Sequence, residues 1–180
     1  MDVFERSLFE KEKSMVKRVF VLLALITILA SATQAGLGQK NEKEEIDLLI
    51  KSARFLEEKP FDKKAKDVRS WAIKWVIATD KVSVTVCSLL LSGIDKNYKY
   101  GGEILGQYTI GMAAFKLANP DKAKDEDAAQ LAGIESALKS YEAMLKEQPK
   151  AKTAYLDGLL EKRADGSWAQ YVAENNCKKK

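Results

Sequence analysis

The chain contains no histidine. That absence removes the side chain most used as a general base near neutral pH, and the commonest metal ligand. Ser–His and Cys–His nucleophile pairs are excluded with it. There are only two cysteines, Cys87 and Cys177, so neither a CxxC redox site nor a zinc-holding thiolate cluster can form. No metal, no cofactor and no catalytic residue is expected. The three prolines leave the chain few obligatory helix breaks. A run of roughly 20 apolar residues, the length that spans a bilayer, is missing as well. Nor does charge of one sign dominate. Thirty basic and 26 acidic side chains leave a net +4. There is no concentrated basic stripe of the kind that displaces counterions from nucleic acid, so no nucleic-acid partner is expected.

What is present begins with an export signal that starts late. From Met15 the chain reads MVKRVFVLLALITILASATQAGLGQK. Lys17 and Arg18 form a basic n-region, Val19 to Ala30 an apolar core, and Thr33-Gln34-Ala35 a cleavage triplet, which is the plan of a secretory signal peptide. Met15 is the expected initiator, because the preceding segment is densely charged with mixed sign. Residues 1–35 are then leader and signal peptide, and residues 36–180 a single helical domain, periplasmic or secreted, with no membrane span after cleavage. An even cysteine count in an exported chain suggests that Cys87 and Cys177 are paired. Such a bridge would close a loop of roughly 90 residues, worth about 4–5 kcal/mol in the chain-entropy model.

The mature part reads as all-α. Ile46, Leu49, Ile50, Ala53 and Leu56 recur at helical spacing, predicting a helix over 42–58 that Lys59-Pro60 ends. Asp62 can cap a second helix with Val68, Trp71, Trp75, Ala78 and Val82 on one face. Ala72, Ile73, Val76 and Ile77 broaden its apolar surface, so this helix is expected at the centre of the fold, with both tryptophans in the core. Val82-Ser83-Val84-Thr85-Val86 alternates like a strand. No second strand is found to pair with it, and a helix over 81–92 is the preferred reading. A helix over 103–117 follows, with Ile104, Leu105, Tyr108, Met112 and Phe115 inward. Its Gly106 and Gly111 each cost about 1 kcal/mol against Ala, which close approach of a neighbouring helix would offset. Asn119-Pro120 ends it. Leu131, Ile134, Leu138, Tyr141 and Leu145 mark the clearest helix, 128–147. A shorter one near 152–163 and a last one carrying Trp168, Tyr171 and Val172 complete a single bundle, or stacked helical hairpins, of about six to seven helices.

Ala137, Tyr141, Met144 or Leu145, and Pro149 occupy the places of the small residue, aromatic, apolar residue and closing proline of a second tetratricopeptide-repeat helix. Residues 135–149 therefore resemble one helix of a tetratricopeptide-type hairpin. The first-helix motif is not matched at Leu131-Ala132-Gly133, and no 34-residue recurrence appears. The resemblance implies stacked helical hairpins that bind a peptide or protein.

For a ligand surface, the best local cluster is Tyr98, Tyr100, Glu103 and Tyr108: aromatic faces and a carboxylate around the Gly101-Gly102 pair at a helix start. The run Gly101 to Gly106 lacks the Lys-Ser/Thr ending of a phosphate loop. Asp80, Glu103, Asp157 and Glu161 could serve as acid and base if they converged in a cleft. The sequence thus points to an exported non-enzymatic helical protein binding a protein, peptide or small ligand in the cell envelope. The alternative is a carboxylate-dependent hydrolase or lyase acting on envelope polymers.

Overall fold

A computed structural model describes residues 41–175 and Cys177. The leader, the signal peptide with its cleavage site, and the terminal lysines lie outside the described residues. Six α-helices follow in order: α1 (41–58), α2 (Ala65–Ala78), α3 (Gly101–Ala118), α4 (Glu126–Glu147), α5 (Ala154–Ala164) and α6 (Trp168–Asn175). Short 3-10 turns lie at Ser88–Leu91, Pro120–Lys122 and Pro149–Ala151. The described residues contain no strand, and the fold is all-α. From Ile46 onward the chain gathers into one compact unit. No helix among the described residues is long and apolar enough to cross a membrane.

The central helix is α3, not α2. One face of α3 (Ile104, Tyr108, Met112) closes a core with Ile134, Leu138, Tyr141 and Met144 of α4, Leu156 and Leu159 of α5, and Val172 of α6. Its other face (Ile110, Ala113, Ala114) closes a second core with Leu49, Ala53 and Leu56 of α1 and Ala72 and Val76 of α2. A helix apolar on both sides is what a position between two cores requires. Among α2 to α6 the α3–α4 interface is the most extensive, and glycine makes it close. A β-carbon on Gly111 would overlap Ser136 and lie 3.4 Å from the Gly133 Cα. The expected offset for glycine in this helix is therefore real at Gly111, while Gly106 admits the Arg69 side chain of α2 at 3.1 Å. A buried polar relay ties the layers together. Gln107 Nε2 donates to the Ala53 carbonyl at 3.0 Å and to Ser136 Oγ at 2.7 Å, and Ser136 Oγ donates to Glu57 at 2.6 Å.

The predicted helix ends hold within two residues for α1, α3, α4 and α5. The α4 cap lies in the charged stretch 121–127: the Asp125 side chain accepts from the Ala128 amide at 3.0 Å, satisfying one of the orphan donors of the first turn. Three further expectations fail. Trp71 and Trp75 are half-buried at the margin of the second core, and the residues of α2 that are buried are Ala65, Ala72 and Val76. Leu105 points outward, 45% exposed. The helix expected over 81–92 does not form; 82–87 belongs to no regular element, and only Ser88–Leu91 makes a 3-10 turn.

The 82–87 segment is a strap over the helices, and side chains hold it where a partner strand otherwise would. Lys116 Nζ donates to the Ser83 carbonyl at 2.8 Å. Gln130 Nε2 donates to the Thr85 carbonyl at 2.6 Å. The Cys87 amide donates to the Tyr108 hydroxyl at 3.4 Å. Three captures two residues apart mark an extended backbone, whose successive residues face opposite edges. The end of the strap is pinned covalently. Cys87 and Cys177 are disulfide-bonded, with Cα atoms 5.5 Å apart, so the expected pairing is present. Lys116 is only 5% exposed and is ion-paired with Glu126, and Tyr108 and Gln130 are hydrogen-bonded to each other in the core.

Candidate functional site

Where α2 ends and the strap begins, the chain leaves a groove of about 690 Å³. Ile73 and Ile77 of α2 form one wall, Leu105 and Thr109 of α3 another, and Val82, Val84 and Val86 of the strap a third. Three of its apolar residues are unusually open: Ile77 is 79% exposed, and Leu105 and Val86 are exposed as well. Both threonine hydroxyls in the wall are turned back on the protein. Thr109 Oγ1 donates to the Leu105 carbonyl at 2.9 Å, and Thr79 Oγ1 accepts from the Lys81 amide at 3.2 Å. Asp80, at the rim, is ion-paired with Lys81 at 3.5 Å and largely exposed. The lining thus offers apolar side chains and little side-chain polarity, a combination suited to an apolar segment rather than to a sugar or a charged metabolite.

The aromatic cluster expected to bind ligand is assembled differently. Tyr98 and Tyr100 meet edge-on with centroids 5.7 Å apart, and Tyr100 also packs against Phe61 at 5.1 Å. The Tyr98 hydroxyl donates to the Ala151 carbonyl at 2.7 Å. This ties the loop before α3 to the turn before α5. Burial pushes the Tyr98 phenol up to about 12, and the neighbouring Tyr100 and Glu103 reinforce the shift. Tyr108 is fully buried, its phenol also raised to about 12 by burial, with the Cys87 amide opposing and Glu126 reinforcing. Tyr108 presents no surface to a ligand; it holds the strap. Glu103 lies in the field of Arg69, whose guanidinium burial lowers from its ordinary value while Glu103 raises it. Arg69 itself donates to the Pro60 carbonyl at 3.2 Å.

The candidate carboxylates sit in separate settings. Asp157 accepts from the Tyr141 hydroxyl at 2.8 Å and pairs with Lys152 at 3.6 Å. Asp80 stands at the groove rim, Glu103 beside Arg69, and Glu161 is exposed on α5. Among the described residues no three acidic or cysteine side chains gather as a metal site. A second, charged cleft between α1 and α4 is lined by Glu57, Glu58, Lys139, Glu142, Lys146 and Glu147. Its two signs are interleaved.

Comparison with known proteins finds no family model that matches the chain, and no curated protein or solved structure significantly similar to it.

Sequence reasoning missed Ile77, Leu105 and Val86 as a group. Two signals pointed to them. The apolar width of α2 exceeds what one buried stripe needs, and the strap alternates without a strand to pair with. Both are explained by a groove whose walls are left open.

Proposed function

We propose that this is an exported, non-enzymatic helical domain that binds a partner polypeptide in the periplasm or outside the cell, through the groove between α2, α3 and the strap. The observation that carries this reading is the open apolar wall made by Ile77, Leu105 and Val86. A set of large apolar side chains exposed together on a well-packed domain marks an interaction surface. The late-starting signal sequence supports the location. The tetratricopeptide-like residues support a hairpin reading of α4 and α5: Ala137, Tyr141 and Met144 are buried, and Pro149 opens the turn between the two helices.

Site-specific photo-crosslinking tests the reading. A crosslinking residue at Leu105 should trap a discrete envelope protein, which is then identified by mass, and Ile77→Lys should abolish the adduct. The same residue placed at Lys146, in the charged cleft, should trap none. Equal adducts from both positions, or none from Leu105, would rule the groove out. N-terminal sequencing of the mature protein should give Gly36, and a chain retained in the cytoplasm would contradict the export reading.

A further inference from the structure

We propose that Val82–Val86 is a docking edge to which an extended apolar segment of the partner adds as a β-strand, its side chains lying over the groove; this rests on the groove being the binding surface. The strap has two backbone edges. The inner edge is satisfied by Lys116, Gln130 and Tyr108 through the Ser83 carbonyl, the Thr85 carbonyl and the Cys87 amide. In extended backbone the amide and carbonyl of the alternate residues face the opposite way. Those groups belong to Val84 and Val86, and none of them meets a hydrogen-bond partner among the described residues.

The open edge therefore carries donors and acceptors at the spacing of a β-ladder, beside an apolar groove. The occupant that answers both features is a polypeptide backbone with apolar side chains at alternate positions. A lipid tail or a small apolar molecule would fill the groove but leave the ladder unanswered. Charge adds a further constraint. Asp80 is the only charged group among the described residues of the lining, and it is already paired with Lys81, so the occupant is neutral where it lies in the groove. The edge is also ready-made. Its inner side is hydrogen-bonded at three points and its end is fixed by the disulfide at Cys87, so little ordering remains to be done on binding. Edges of this kind are commonly protected by proline or inward charge, and residues 82–86 carry neither.

The test uses the oxidised mature domain and a defined probe, the peptide Lys-Val-Thr-Val-Thr-Val-Lys with blocked ends. Two further copies are N-methylated, one at each alternating set of amides. Titration calorimetry should show binding of the parent peptide. One methylated copy should bind about tenfold or more weakly, because two backbone hydrogen bonds are lost, while the other, methylated on the outward set, should bind like the parent. Val86→Pro removes one edge donor at a position where an edge tolerates proline, and should weaken the parent peptide, by less than the methylation does, without changing the melting temperature. If Val86→Pro fails to fold, the methylated peptides still decide the matter on the wild-type protein. Equal binding of all three peptides would overturn strand addition while leaving the groove as a binding surface. No binding of any peptide, with the Leu105 crosslink still formed, would do the same. A homodimer in the absence of peptide that Val86→Pro dissolves would also overturn it, by assigning the edge to a second copy of this chain.

Discussion

Replacing Gly133 by alanine should destabilise the protein even though it improves the local helix. Gly133 lies in the interior of α4, where alanine is preferred by about 1 kcal/mol. Against that stands the space available. A β-carbon there would come within 2.5 Å of Met112 Cγ, 2.8 Å of Tyr108 Cδ2 and 2.8 Å of the Tyr108 carbonyl oxygen. Met112 can move its flexible side chain. The Tyr108 carbonyl belongs to the α3 backbone and moves only with the helix. Overpacking of a close-packed core costs about 1–3 kcal/mol, and the close approach to backbone puts this site at the upper end. The net expectation is a loss of about 1–2 kcal/mol. Gly158→Ala is the matched control. It lies inside α5 with nothing within 4 Å of the added carbon, so the helix preference acts alone and stability should rise by up to about 1 kcal/mol. Urea unfolding of the oxidised protein should separate the two variants by about 1–3 kcal/mol, with unchanged slope. If Gly133→Ala were as stabilising as Gly158→Ala, the α3–α4 contact would not be as close as described.

Other consequences are measured separately. Thiol counting under denaturing, non-reducing conditions should find no free cysteine, and Cys177→Ser should cost up to about 4–5 kcal/mol, given the sequence separation of 90 residues; two reactive thiols in the wild type would contradict the bridge. Trp75→Ala should cost about 1–3 kcal/mol, less than the loss from a fully enclosed ring, because the tryptophan is half-buried at the edge of the second core; a loss near 5 kcal/mol would put it inside. Burial raises the phenols of Tyr98 and Tyr108 to about 12 and carries those of Tyr141 and Tyr155 above the ordinary range. The folded state then keeps protons that the unfolded state has lost. Stability from these groups is complete below about pH 10 and falls as pH rises towards 12. Absorbance titration near 295 nm should show these four tyrosines ionising late and together with unfolding; ordinary titration of all six would refute the burial.

Helix positions were legible because their signals are local. The stripe Leu131, Ile134, Leu138, Tyr141 in α4, and the prolines after α1, α3 and α4, need no knowledge of what packs where. The centre of the fold was not legible in the same way. Both α2 and α3 are apolar around most of their circumference, and what makes α3 central is the facing of Gly111 on Gly133, a contact between residues 22 positions apart. The strap shows the same limit. Its β-branched alternation correctly signals extended backbone, and the rule that a lone strand leaves backbone groups unsatisfied is also correct. The resolution lies in Lys116, Gln130 and Tyr108, polar side chains on two other helices that take the place of a neighbouring strand on one edge. The same distance effect hid the role of Tyr108, which reads as a ligand aromatic in sequence and serves as an anchor in the fold.

The central claim is that the strap is closed on its inner edge and open on its outer one. Amide hydrogen exchange resolved by residue tests it most directly. In the oxidised protein without partner, the Val84 and Val86 amides should exchange close to the rate of an unstructured peptide. The Cys87 amide, buried and bonded to Tyr108, should be strongly protected. Protection of Val84 and Val86 comparable to that of the α3 amides would mean that the edge is already covered, and would contradict the account.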